Sequence, residues 1–215
     1  MQQAAVFNEI YANYLAEVAA LDRGSVAARL GLDQDGDAIL VPFYGSTFRV
    51  SGEGVADELG FRPSHAVSVI LCKHLLLCPT QAPPSKSEWV RYSTFKDALP
   101  FAAGFRNTAE RPIGRTFAGR LNALREAATS LGGASTEAPF SCDLGMRLPA
   151  LPTVPLLMMF DDLDEEFPAQ CSLLFQDRAP AYLDMECLAM LGMVLASWLE
   201  GKPTPGDDYP QGDFE

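Results

Sequence analysis

The densest group of potentially reactive side chains is an acidic stretch between two apolar segments. The apolar run 154–160 leads into residues 161–166, the acidic loop, which places five carboxylates in six positions before Phe167 and Pro168. Carboxylates that converge in a cleft bind a hard cation, pair with arginine or take a raised pKa. Exposed carboxylates instead keep a loop between two apolar strands soluble, and a charge run alone favours this interpretation. The candidate binding residues are Asp162, Asp164, Glu165 and Glu166.

A histidine and a cysteine form the second candidate pair. His74 and Cys78 are four residues apart, a spacing that places two metal ligands on one face of a helix. Two ligands do not make a site, and neither His65 nor the other cysteines supply a third at a suitable spacing. The favoured interpretation is a histidine and a thiol buried in the core. No cofactor is therefore predicted, and a divalent cation at the acidic loop is kept as an alternative.

Other motifs exclude rather than suggest chemistry. The segment 33–37 resembles the start of a calcium-binding loop, but Ala38 replaces the required glycine and Tyr44 the required glutamate, so a β-turn is predicted. The chain contains no G-x-S-x-G elbow, P-loop or dinucleotide fingerprint. The sequence thus leaves the question of catalysis open but favours a protein that is not an enzyme.

Charge is distributed unevenly. The net charge of -12, from 16 basic and 28 acidic residues, argues against nucleic-acid binding. Residues 86–125 nevertheless hold eight basic side chains against three acidic ones, whereas residues 200–215 hold five acids against one lysine. Such asymmetry marks either a face that binds an anion or a partner, or a basic segment that complements acidic neighbours in the same fold. The second interpretation is favoured.

Cysteine usage and hydropathy point to a cytoplasmic protein. The five cysteines form no CxxC pair, and their odd number makes a disulfide framework improbable. Buried free thiols in a reducing compartment explain them best. The N-terminus lacks the basic and apolar regions of a secretory signal, and the apolar runs are too short to span a membrane.

The apolar periodicity predicts an α+β fold with about four to five helices. The helical stretches are 2–21, 25–30 capped by Ser25, 64–77, 113–131 and one from Asp184 to Leu199. Alternating patterns predict a β-meander near 38–51, with Pro42 at an edge or bulge, and three antiparallel strands near 142–176, with 156–160 central. A further short strand is predicted at Trp89–Tyr92, between the meander and these three strands. One domain is predicted over 1–200, with a disordered acidic Pro/Gly-rich tail over 201–215.

Several segments resemble a known family. They are Phe43-Tyr-Gly-Ser-Thr-Phe-Arg-Val50, the Trp89 region, Leu131-Gly-Gly133, 148–155, Asp164-Glu-Glu-Phe-Pro-Ala169 and 174–177 with Tyr182-Leu183. In this order they resemble the bacterial and archaeal family catalogued as domain of unknown function 3786, over roughly residues 7–199. The family carries no established activity, so the resemblance implies no catalytic residues. Some relatives carry a cysteine-rich iron–sulfur segment like that of corrinoid proteins of anaerobes, but here no cysteine precedes Cys72.

Three functions remain open. The first is a non-catalytic accessory protein that binds a small ligand or a protein partner through the acidic loop, with a link to anaerobic redox or corrinoid metabolism implied by the resemblance alone. The second is a metal-assisted enzyme in which Asp162, Asp164 and Glu165 hold a cation and Glu166 or His74 moves protons. The third is a structural subunit whose exposed anchors are Trp89, Phe101 and Phe105.

Overall fold

The helices surround two groups of strands. The computed structural model describes residues 2–202, with side chains from Phe7 onward. In chain order the helices are α1 (Gln2–Ala19), α2 (Arg23–Leu30), α3 (His65–Leu76), α4 (Leu99–Phe105), a π-helical segment (Arg106–Glu110), α5 (Arg111–Phe117), α6 (Leu121–Ser130) and α7 (Met185–Leu199). α4, the π-helical segment and α5 follow one another without interruption, and we call them together the helical rod.

Both sheets are antiparallel and confirm the α+β prediction. The first contains β1 (Asp33–Asp35), β2 (Ala38–Phe43), β3 (Ser46–Val50) and β4 (Val55–Ala56) in that order. The second contains β5 (Trp89–Arg91), β6 (Ala134–Ser135), β7 (Leu144–Leu151), β8 (Val154–Asp161) and β9 (Gln170–Gln176) in the order β5-β9-β8-β7-β6. β1 pairs only with residues 38–40, so Pro42 lies where β2 has a strand neighbour on one side, as its missing amide proton requires.

β8 is central and buried on both faces, as its unbroken apolar run predicts. Leu156, Met158 and Phe160 belong to the main core cluster, which also includes residues of the four-stranded sheet and of α1, α3 and α7. The alternate residues Leu157 and Met159 form a second cluster on the opposite face, together with Leu174 and the partly buried Trp89. Two-sided burial follows from the period-2 alternation of side chains along a strand.

The two sheets meet at a hairpin turn whose first residue, Tyr44, lies inside the core. Tyr44 and Gly45 join β2 to β3, and both have positive φ, of 45° and 80°. The buried Tyr44 donates its backbone N–H to Pro149 O at 3.0 Å in β7 and its hydroxyl to Leu191 O at 2.9 Å in α7. A tyrosine in the left-handed region costs roughly 1–2 kcal/mol, which the surrounding contacts must offset.

Two helix predictions are wrong in detail. The single helix predicted over 113–131 is two helices, because the chain turns at residues 118–120, where Gly119 has a φ of 69°. The apolar spacing keeps its phase across this turn, so periodicity alone did not reveal it. Ser25 is not the cap of α2: Asp22 is, and its carboxylate accepts the backbone N–H of Ser25.

The hypothesis of three exposed aromatic anchors is also corrected. Phe105 is buried, with 3% of its surface exposed, and stacks on Tyr92 with ring centroids 4.5 Å apart. Trp89 is partly buried against the second cluster, and Phe101 alone is exposed. The apolar periodicity did not reveal the part of the helical rod from Leu99 to Glu110. Phe105 is buried because it lies within this part. The predicted tail lies outside the described residues except for Gly201 and Lys202, and the single domain over 1–200 stays a prediction.

Close packing around Gly45, in the turn between β2 and β3, predicts that alanine substitution at two glycines of positive φ lowers stability by different amounts. We expect Gly45→Ala to lower the free energy of unfolding by about 2–4 kcal/mol, because the added Cβ would combine left-handed strain with overpacking. That Cβ would lie 3.1 Å from the Gly132 nitrogen. The measurement is the midpoint of urea unfolding.

Gly36→Ala is the matched control. Gly36 has a similar φ of 62°, but no atom lies within 4 Å of the position its Cβ would take. We expect this variant to lose about 1 kcal/mol, from backbone strain alone. Equal losses in the two variants would contradict the tight packing of the turn.

Candidate functional site

A cleft of about 960 Å³ lies between the helical rod and the edge of β9. Four arginines line it, and we call it the arginine cleft: Arg91, Arg106, Arg111 and Arg115. Arg91 is the last residue of β5, and the other three arginines belong to the helical rod. All four side chains are exposed to solvent. Guanidinium groups are always protonated and bind carboxylate or phosphate through two parallel hydrogen bonds.

The π-helical segment sets the direction of the groups on the rod side. Arg106, Asn107 and Glu110 lie within it, and all three line the cleft. Arg111 donates from Nη1 to Asn107 Oδ1 at 2.7 Å, which orients its guanidinium group. π-Helical turns are rare and occur frequently at functional sites, because the extra residue changes which side chains share a face.

The opposite wall of the cleft is the edge of β9. β5 pairs only with residues 174–176 of β9, so among the described residues 170–173 have no strand neighbour on this side. The backbone N–H of Leu173 donates instead to Glu110 Oε1 at 3.1 Å. Nearer the start of β9, α5 packs against residues 169–171, because a Cβ on Gly114 would lie 3.2 Å from Ala169 O and 3.6 Å from Cys171 N. The helical rod therefore covers this part of the β9 edge.

The arginines of the cleft form no ion pair with another described residue, although Glu110 acts electrostatically on Arg106 and Arg91, and Glu200 on Arg115. Among the described residues, the ion pairs are Arg49–Asp35, Lys73–Asp184 and Lys202–Glu200, and none involves these four. Glu110 is the one carboxylate that the described part of the chain places in the cleft lining. Burial raises its pKa, although the Leu173 amide and then Arg106 and Arg91 partly oppose this. The cleft is thus a locally positive concavity in a chain of net charge -12.

The acidic loop is placed beside the cleft rather than in it. Pro168, Ala169 and Gln170, which follow the loop, line the cleft. Asp162 is half-buried, and its Oδ1 accepts the backbone N–H groups of Gly119, at 2.7 Å, and Leu163, at 2.8 Å. This carboxylate therefore fastens the loop to the turn between α5 and α6.

The remaining loop carboxylates face solvent. Asp164 Oδ1 accepts the backbone N–H groups of Glu166 and Phe167, and these bonds lower its pKa. Glu165 and Glu166 are exposed. Two of the four candidate binding residues thus support the conformation of the loop, and the other two are free to interact with a partner.

The second candidate pair is separated by the end of a helix. α3 ends at Leu76, so Cys78 does not share a helical face with His74, and the spacing argument for a common metal does not hold. His74 is fully buried, its Nε2 lies 3.5 Å from Thr153 Oγ1, and its Nδ1 has no hydrogen-bond partner within the described residues. Burial lowers its pKa to about 4, and the backbone of Tyr182 partly opposes the shift.

Side chains that bind metals do not cluster in the described part of the chain. No group of three or more histidine, cysteine, aspartate or glutamate residues within it is arranged to hold a metal ion. All five cysteines are free thiols. Burial raises the pKa of the Cys171 thiol, in the wall of the cleft, well above its usual range, and Glu110 adds to this.

Comparison with known families places the chain. Residues 22–198 match the family described as domain of unknown function (DUF3786). The chain belongs to this family. The match contains both sheets and the arginine cleft, whereas α1 precedes it. No curated protein and no solved structure matches the chain significantly. Within residues 2–202 no helix is both long and apolar enough to cross a membrane.

The sequence contained one signal for the cleft of this DUF3786 domain. The basic excess over residues 86–125 includes all four cleft arginines. The interpretation favoured from sequence, that this segment complements acidic neighbours, holds in part. The four arginines form no ion pair within the described chain, but Glu110 acts electrostatically on Arg106 and Arg91, and Glu200 on Arg115. No sequence pattern indicated that part of the β9 edge lacks a neighbouring strand, because this depends on the length of β5.

The role of Asp162 in the loop predicts a stability effect. We expect Asp162→Ala to lower the free energy of unfolding by about 1 kcal/mol, since two backbone N–H groups lose their acceptor. Glu165→Ala, at an exposed position in the same loop, is the control and should change stability by less than about 0.5 kcal/mol. Urea unfolding measures both, and equal stability of Asp162→Ala and wild type would contradict the tether.

The buried histidine predicts an acid-sensitive fold. Above its unfolded pKa of 6.5, His74 is neutral in both states; below it, the unfolded chain takes up a proton that the folded chain excludes until about pH 4. The free energy of unfolding should therefore fall over this range by roughly 3 kcal/mol. Urea unfolding at neutral and at acidic pH should show a correspondingly smaller loss for His74→Gln.

His65→Gln is the control for this experiment. His65 is only half-buried, and its pKa is lowered by burial and by Arg62. We expect this variant to retain most of the wild-type acid sensitivity. If His74→Gln and wild type lose the same free energy on acidification, the assignment to His74 is wrong.

Proposed function

We propose that this DUF3786 protein is a non-catalytic binding protein that holds an anionic ligand in the arginine cleft. The observation that carries the proposal is the convergence of four arginines without ion-pair partners on one concavity. Among the described residues, Glu110 is the one carboxylate in the cleft lining beside these four guanidinium groups, so the concavity keeps a net positive charge. An anionic ligand would balance that charge.

The shape and chemistry of the cleft favour a ligand with more than one anionic group. Arg106 and Arg111 come from the helical rod and Arg91 from the end of β5, so guanidinium groups approach from two walls. The volume of about 960 Å³ exceeds the need of a single small ion. Phosphate esters and multiple carboxylates are the matching chemical classes.

A binding role fits the cleft better than catalysis. The raised pKa keeps the Cys171 thiol protonated near neutral pH, and a protonated thiol is a poor nucleophile. The cleft lining contains no histidine that would serve as its base. The acidic loop as a partner-binding site, through Glu165 and Glu166, stays a separate prediction, as do the link to anaerobic redox or corrinoid metabolism, the cation site and the role as a subunit.

Calorimetric titration with inorganic pyrophosphate tests the proposal. We expect binding that is stronger than that of inorganic phosphate and that weakens steeply with added salt, because exposed charges are screened. Arg106→Gln and Arg111→Gln each remove a charge-assisted hydrogen bond worth about 1.5–3 kcal/mol, so each should raise Kd roughly tenfold to a hundredfold.

Arg125→Gln is the matched control. Arg125 is exposed on α6 and does not line the cleft, and the substitution changes the net charge by the same amount. We expect its Kd to stay within about twofold of wild type, as screened charges outside the site contribute little. Equal weakening by all three variants would show nonspecific attraction, and no binding of either anion would overturn the proposal.

A further inference from the structure

The described chain leaves the fold next to the arginine cleft. α7 ends at Leu199, and Thr116 Oγ1 donates to Glu200 Oε1 at 2.6 Å, which ties this end of α7 to α5. A second cavity of about 460 Å³ is lined by Glu200 and Lys202 and also by Arg115. Since Arg115 lines both cavities, the cavity beside the last described residue adjoins the arginine cleft.

The segment that follows has the charge that the cleft lacks. Residues 203–215, the acidic tail, contain four acids and no basic residue: Asp207, Asp208, Asp213 and Glu215. Thirteen residues reach up to roughly 43 Å when extended, at about 3.3 Å per residue, which exceeds the step from Lys202 past Arg115 into the cleft.

The cleft suits a peptide as well as a small anion. Residues 169–171, at the start of β9, pack against α5, since a Cβ on Gly114 would lie 3.2 Å from Ala169 O and 3.6 Å from Cys171 N, so a peptide would occupy the cleft through its side chains and not as an added strand. The carboxylates of such a peptide would lie against the guanidinium groups of Arg106 and Arg111.

We propose that the acidic tail occupies the arginine cleft of its own chain and competes there with the anionic ligand. This inference rests on the proposed function, because both involve the same arginines. It adds what contacts these arginines when no ligand is bound. A tethered segment with an effective concentration of about 1 mM and an intrinsic Kd of about 0.1 mM lowers the affinity of a competitor about tenfold. The tail then sets the ligand concentration at which the cleft fills.

Neutralising the tail in the full chain tests the competition. The tail variant combines Asp207→Asn, Asp208→Asn, Asp213→Asn and Glu215→Gln, which keep the size of each side chain. In calorimetric titration with inorganic pyrophosphate at low salt, we expect it to bind about tenfold more tightly than wild type. High salt should remove most of this difference, because it screens the contact between tail and cleft.

The matched control changes the net charge equally at exposed acids outside the tail and the cleft. It combines Asp37→Asn, Glu58→Gln, Glu126→Gln and Glu137→Gln, all at exposed positions. We expect its affinity for pyrophosphate to exceed that of wild type by no more than about twofold, from the change in overall charge. Equal affinities of the tail variant and this control would overturn the tail proposal and leave the anion site standing.

A measurement without any added anion separates the two proposals. The Nε–Hε resonances of Arg106 and Arg111 report directly on what contacts these side chains. We expect them to differ between wild type and the tail variant, to match between wild type and the control, and to be independent of protein concentration. Unchanged resonances in the tail variant overturn the tail proposal whether or not pyrophosphate binds, and a dependence on concentration overturns its intramolecular form.

Discussion

The structure depends on one residue of a hairpin turn, Tyr44, which is buried although the glycine that follows it is exposed. Tyr44 holds a left-handed backbone conformation within the core, and its two hydrogen bonds reach β7 through Pro149 and α7 through Leu191. Its ring also contacts Trp198 at a centroid distance of 5.9 Å. One residue therefore links the four-stranded sheet, the five-stranded sheet and the last helix. The strain of its conformation is offset because its backbone N–H and its hydroxyl both have partners and its ring is buried.

This junction fixes α7, and α7 in turn supports the wall of the arginine cleft. α7 packs against α4 and the π-helical segment, so the helical rod takes its position from the core on one side. On its other side the rod meets β9 through the hydrogen bond from Leu173 to Glu110. The side chains that reach solvent between these two contacts are mostly arginines. A rigid wall with several guanidinium groups binds an anion without first ordering the site, which lowers the entropic cost of binding.

The acidic loop and the arginine cleft are neighbours with opposite charge, and their carboxylates and guanidinium groups have different partners. Asp162 and Asp164 bond to backbone N–H groups, whereas the four arginines have no carboxylate within ion-pair distance in the described chain. The acids of the loop are therefore partly used by the fold, while the bases of the cleft are not. This difference moves the candidate site from the loop, where the sequence placed it, to the cleft beside it.

By itself the sequence determined the α+β class, the two antiparallel units, the central position of β8 and the basic excess of residues 86–125, because each is recorded in local periodicity or composition. Local patterns did not contain the break at Gly119, since the apolar phase continues across it and the deciding bond comes from Asp162, 43 residues away. They equally gave no sign that α3 ends before Cys78 or that β5 leaves part of β9 unpaired. Only the tertiary structure decided which charges find partners, because pairing depends on distances between elements that sequence spacing does not encode.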